Sequence, residues 1–174
     1  MKNIVLLGYM GSGKTSVGQC LSDVLKWDFI DLDKYIEQVE NLTIEQIFNQ
    51  KGVVYFRKLE HEMLKRVIQS SENVVFSLGG GTPVYFNNMD LIKSNENFTS
   101  VYLNTGIDQL AINLFENRKS RPLISHLDSM DQLKEFIAKH LFERRQEYFK
   151  AQNHIITDGK TVQDITKEVI ALLF

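Results

Sequence analysis

The stretch Gly8-Tyr9-Met10-Gly11-Ser12-Gly13-Lys14-Thr15 stands directly behind the apolar run Ile4 to Leu7 and ahead of a segment with helical periodicity. Glycines packed this densely spoil a strand or helix interior, so the stretch is a loop between two elements. Gly8, Gly13, Lys14 and Thr15 satisfy G-x-x-x-x-G-K-[ST], whose required context is a strand before and a helix after. In such a loop the backbone N–H groups turn inward as a nest, and the following helix adds its positive N-terminal end. The loop is therefore built for phosphate, with Gly11, Ser12, Gly13, Lys14, Thr15 and Ser16 around it. Lys14 would reach the β- and γ-phosphates of a nucleotide and the Thr15 hydroxyl would ligate Mg²⁺.

The rest of the chain continues the strand–helix alternation that this loop begins. Near-continuous apolar runs predict strands at Asn3–Leu7, Asp28–Asp31, Val74–Ser77, Ser100–Leu103 and His154–Thr157, the pattern of a parallel sheet covered on both faces. A helix is predicted over 14–25, with Val17, Leu21, Val24 and Leu25 on one side. A short helix capped by Thr43 carries Ile44, Ile47 and Phe48, and others follow over 53–69, 106–117, 130–150 and 161–174. The alternation predicts an α/β fold with right-handed crossovers. Two segments break the rhythm. The helical pattern between Asp33 and Gln69 is longer than one crossover needs, and Arg118 to Ser129, RKSRPLISHLDS, is polar and irregular, either disordered or a functional lid.

Bulk properties narrow the class. A length of 174 residues, 43% of them hydrophobic, suits one domain, 1–174. A formal net charge of −2 leaves no general cationic face for nucleic acid or an anionic membrane. The lone Cys20 has no disulfide partner and reads as a small buried hydrophobe in a reducing compartment. The apolar run after Met1 and Lys2 is too short for an export signal or a membrane span, so the expected compartment is the cytoplasm. His61, His126, His140 and His154 match no metal pattern, and none is assigned a role.

Phosphate binding does not choose a reaction. Asp31 and Asp33 in FIDLDKY close the second strand, and at i and i+2 both carboxylates leave one face of it, at the end of the sheet where ligands sit. They are either solvated strand-end acids or a pair with divided roles, one facing a cation and one accepting a proton. Gly79 to Gly81 in SLGGGTP form a plain loop or admit a ligand against bare backbone. Arg57 either meets an anion or pairs with Glu60 on its own helix, and Arg144 with Arg145 in FERRQEYF presents the same choice between binding and a solvated face.

In order, the chain carries Gly8 to Thr15, Asp31 with Asp33, Phe56-Arg57 with Glu60, Gly79 to Gly81, Arg121-Pro122-Leu123, and Arg144 with Tyr148. Over its whole length this set resembles the shikimate kinase family. The resemblance implies a three-layer P-loop kinase fold with a five-stranded parallel sheet in the order 2-3-1-4-5. It also implies a phosphate loop at 8–15, a shikimate-binding segment at about 33–60 and a lid at about 118–129. The implied reaction is ATP-dependent phosphorylation of the 3-hydroxyl of shikimate, with Mg²⁺ as cofactor and shikimate and ATP as small-molecule partners; no apolar patch in the sequence signals a dimer, so a monomer is the default expectation. By the same resemblance Asp31 and Thr15 serve Mg²⁺, and Asp33 receives the proton of the attacking hydroxyl. Arg57 and Arg144 grip the substrate carboxylate, while Gly79, Gly80 and Gly81 hold ring hydroxyls. Lys14 and Arg121 act on the ATP phosphates, and Arg118 is the nearest residue for the adenine. Many relatives carry proline in an R-x-P-x-Y segment where this chain has Gln146, which leaves Arg145 as an alternative to Arg144. The rival readings are a gluconate or nucleoside-monophosphate kinase on the same loop, or a nucleotide-binding module without catalysis.

Overall fold

The computed structural model describes residues 3–173. Met1 and Lys2, used in reading the amino terminus, and Phe174, the expected end of the last helix, lie outside them. Strands β1 (Asn3–Leu7), β2 (Asp28–Asp31), β3 (Val74–Ser77), β4 (Phe98–Asn104) and β5 (Asn153–Ile156) form one sheet. Its order is β2-β3-β1-β4-β5, and every neighbouring pair is parallel. This is the expected α/β architecture.

The central strand explains the layering. All five residues of β1 are buried, and because successive side chains point to opposite faces they feed two cores. Ile4 and Leu6 pack with Val17 and Leu21 of α1 (Lys14–Leu25) and with Ile165 and Val169 of α7 (Val162–Ala171). Val5 and Leu7 join the larger cluster on the other face, with Leu110 and Leu114 of α5 (Ile107–Phe115) and Leu133 and Ile137 of α6 (Met130–Tyr148). The double cover fails at the edges, where Ile156 of β5 is 62% exposed and β2 is only half-buried. Within α1, Val24 is 58% exposed and Cys20 is half-buried, so neither belongs to the apolar face expected of them.

The segment after β2 holds more helix than expected. α2 (Leu32–Glu40) begins at once, buries Leu32 and Ile36, and is followed by α3 (Ile44–Ser70). Thr43 opens α3 with a capping box closed by Gln46, and Gly52 breaks it at φ 82°, ψ 170°. The two helices read from the pattern are therefore present, with the break at a backbone conformation essentially reserved for glycine. A short α4 (Asn88–Ser94) was not anticipated, because seven residues with Met89 and Ile92 give little period to detect. Residues 118–129 start with a 3-10 turn at Arg118–Ser120 and are pinned by Ile124, which is fully buried against the larger core. Among the described residues no helix is long and apolar enough to cross a membrane.

Candidate active site

The β1–α1 loop lines a cavity of about 520 Å³ together with Asp31, Asp33, Gly79, Gly80, Asn113 and Arg121. Lys14 lies half-buried in it and donates to the carbonyls of Gly8 and Tyr9, each at 2.9 Å. Burial pushes its ammonium down to about 8, against the pull of Asp33 and Asp31. Ser12 is buried, and its Oγ has no hydrogen-bond partner among the described residues. Gly11, Gly13, Thr15 and Ser16 complete the loop side of this cavity.

The two acids arrive by a different route from the one expected. Asp31 ends β2 and also caps α2, accepting from the Lys34 amide at 3.3 Å and from the Thr15 hydroxyl at 3.2 Å. Asp33 lies in the first turn of α2, so strand alternation does not govern it. The helix start instead sends Leu32 into the core and leaves Asp33 at the cavity wall. Burial raises the Asp33 carboxyl to about 6, helped by the neighbouring Glu60 and Asp31 and opposed by Lys14 and Arg57.

A second cavity, of about 500 Å³, opens beside the first and shares Met10, Asp33, Gly79, Gly80 and Arg121 with it. Ile44, Phe48 and Phe56 supply an apolar wall, while Arg57, Glu60 and Arg144 supply charge. Arg57 pairs with the buried Glu60 at 2.8 Å and lies 4.4 Å from the Tyr85 ring centroid, yet its Nε is buried and, among the described residues, unpartnered. The pairing read as an alternative to binding thus coexists with a place in the cavity. Glu60 also accepts the Thr82 hydroxyl at 2.6 Å.

Two of the three glycines, Gly79 and Gly81, stand close against the site's charged side chains, while a Cβ on Gly80 would make only ordinary contacts. A Cβ on Gly81 would fall 2.6 Å from an Arg57 guanidinium nitrogen, and one on Gly79 would fall 2.9 Å from an Asp33 carboxylate oxygen. The Gly80 carbonyl accepts the Tyr148 hydroxyl at 2.6 Å, and burial pushes that phenol up to about 12.

Of the two neighbouring arginines on α6, Arg144 lines the second cavity, whereas Arg145 is exposed and lies 5.0 Å from the Phe149 ring. Arg118 lines neither cavity. It packs 3.9 Å from the Phe115 ring centroid and donates to the carbonyls of Leu127 and Phe115, tying the two ends of the 118–129 segment. Asn113, which carried no signal in the sequence, lines the first cavity and donates to the Gly11 carbonyl at 2.9 Å.

The Thr15 hydroxyl and Asp31 carboxylate are hard oxygen donors side by side at the phosphate loop, a set that suits Mg²⁺. Among the described residues no group of three or more His, Cys, Asp or Glu stands at metal-binding distance. A cation here would take most of its oxygens from phosphate and water, as Mg²⁺ commonly does.

Comparison with known proteins agrees along the full chain. The family model described as shikimate kinase matches residues 10–174. A shikimate kinase of Flavobacterium johnsoniae is 47% identical over 99% of both chains. The crystal structure of the Bacteroides thetaiotaomicron shikimate kinase superposes with a TM-score of 0.89 at 34% identity, covering 99% of this chain and 98% of that one. The Acinetobacter baumannii shikimate kinase, solved in complex with shikimate, gives 0.85 at 29% identity, over 99% and 93%. With a family model matching residues 10–174 and a relative 47% identical over 99% of both chains, this chain belongs to the shikimate kinase family.

Proposed function

We infer that the protein transfers the γ-phosphoryl group of ATP to the 3-hydroxyl of shikimate, giving shikimate 3-phosphate and ADP. The observation that carries this reading is the junction of the two cavities at Asp33, with a phosphate loop on one side and Arg57 and Arg144 on the other. ATP takes the first cavity, its phosphates against the loop from Gly11 to Ser16, and Lys14 leaves the Gly8 and Tyr9 carbonyls for the β- and γ-phosphates. Shikimate takes the second, with its carboxylate on Arg57 and Arg144. The unpartnered Arg57 Nε supports that assignment, since a buried N–H without an acceptor costs about 1–3 kcal/mol until one arrives. The ring hydroxyls meet the backbone of Gly79, Gly80 and Gly81, where a side chain on Gly79 or Gly81 would crowd Asp33 or Arg57.

Asp33 accepts the proton of the 3-hydroxyl as its oxygen bonds to the γ-phosphorus and the bond to the β–γ bridging oxygen breaks. A carboxyl poised near 6 is well matched to that proton transfer at neutral pH. Arg121, exposed on the 118–129 segment, closes onto the phosphates and helps keep water from replacing the acceptor. Thr15 and Asp31 would hold Mg²⁺, which when bound neutralises charge on the β- and γ-oxygens. In this reading 33–60 binds shikimate, 118–129 is the lid, and Arg118 reaches the adenine only after releasing at least one of its carbonyl partners. The protein works as a single domain in the cytoplasm without nucleic-acid or membrane partners, supported by its net charge of −2 and lone cysteine, and a monomer is the default working form. The test is coupled ADP release with shikimate, gluconate and nucleoside monophosphates side by side. Turnover with shikimate alone is expected, and turnover with any of the others but not shikimate overturns the assignment.

A further inference from the structure

Tyr9 occupies a position that the phosphate-loop motif leaves free, yet its side chain is 1% exposed and lines neither cavity. Its hydroxyl is 3.2 Å from Nδ1 of His140 on α6, and its ring lies 5.8 Å below the Arg144 guanidinium. His140 precedes Arg144 by one helical turn. The preceding turn brings Phe136, 4.2 Å from the His140 ring, and the exposed His126 of the 118–129 segment meets the edge of Phe136 at 6.4 Å. A continuous aromatic column therefore runs from that segment to the phosphate loop, and Arg144 leans on its inner end.

Arg144 is held by aromatic neighbours, the Tyr9 ring below it and the buried Tyr148 phenol beside it. Among the described residues it forms no ion pair, unlike Arg57, whose guanidinium is fixed by Glu60. Burial, with Arg144 as the second cause, keeps His140 neutral below its ordinary range, and burial keeps the Tyr9 phenol protonated. A neutral imidazole can then accept from the phenol, satisfying a hydroxyl that would otherwise be buried without a partner.

We propose that Tyr9 and His140 are positioning residues for shikimate binding: their hydrogen bond holds the Tyr9 ring as the platform that orients the Arg144 guanidinium toward the substrate carboxylate. This rests on the reading of Arg144 as a carboxylate ligand, so the experiment begins there.

Steady-state kinetics and calorimetric shikimate titration are run on Arg144→Ala, Tyr9→Phe, His140→Phe, His140→Asn and the Tyr9→Phe/His140→Phe double variant, each below its melting midpoint. Arg144→Ala should raise the shikimate KM strongly. Tyr9→Phe and His140→Phe should each raise the shikimate KM and Kd by about tenfold, with kcat and the ATP KM changed less than about twofold. The double variant should match either single one, because both remove the same bond. His140→Asn presents an amide atom near the site of Nδ1 and should recover most of the loss. If Arg144→Ala leaves the shikimate KM unchanged, the underlying reading of Arg144 fails. If Arg144→Ala behaves as expected but Tyr9→Phe and His140→Phe do not, or if they move the ATP KM as much as the shikimate KM, the positioning role is overturned by itself.

Discussion

Asp33 joins two properties that pull against each other in the resting fold. Its carboxyl is raised to about 6, above the ordinary value of 3.8, so the folded state prefers it protonated. Stability from this group is full below about pH 4 and is lost as pH rises through about 6, while the base form that the proposed transfer needs appears over the same window. Asp33→Asn should therefore lower kcat by roughly 10²-fold with little change in ATP affinity, and should raise stability at pH 8 by on the order of 1–2 kcal/mol in denaturant titration. In the unmodified enzyme kcat/KM for shikimate should fall as pH drops below about 6, and a profile flat to pH 5 would remove Asp33 from the base role. Arg57→Ala should weaken shikimate binding by about 2–5 kcal/mol, because it takes a charged partner from a buried carboxylate. Calorimetry measures that loss directly, and a change confined to ATP would reassign the residue. The phosphate loop was legible because it is a local pattern with a fixed spacing. The Tyr9–His140 bond was not, since its partners are 131 residues apart and neither residue type signals the other.

At the scale of elements, α3 shows what period and glycine can reveal together. The apolar spacing gave two helices, and the structure puts their break at Gly52, where the backbone is strained for any other residue while a Cβ would meet nothing within 4 Å. Gly52→Ala should thus cost about 1–3 kcal/mol through backbone conformation alone, read as a lower urea midpoint with an unchanged m-value. The start of α2 was harder to foresee. Asp31 and Asp33 looked like successive residues on one strand face, but Asp31 serves as a helix cap, and the turn of period happens between them. The 118–129 segment read correctly as irregular, although its buried Ile124 and the Arg118 bonds to Phe115 and Leu127 give it an internal frame. Trypsin should cut within it after Lys119 and no longer do so when ATP and shikimate are both present, with digestion followed by mass spectrometry. Equal cleavage with and without ligands would mean that the segment does not close.

The whole molecule is a sheet buried at its centre and thin at its edges, and both cavities open at the carboxyl ends of its inner strands. The order of the sheet followed from family resemblance, whereas strand type and direction followed from the apolar runs themselves. Shikimate at about a hundred times its Kd should stabilise the folded state by about 2.7 kcal/mol and raise Tm by roughly 5–10 °C. Gluconate at the same concentration should leave the melting curve in place. The shared wall of Met10, Asp33, Gly79, Gly80 and Arg121 also bears on inhibition. With ATP and shikimate placed as proposed, one molecule that joins an adenosine polyphosphate to a shikimate-like acid would span the residues the two cavities share. Once either half docks, the other meets its own cavity at an effective concentration in the millimolar range, and even a weak acid fragment becomes a tight anchor when tethered to the nucleotide.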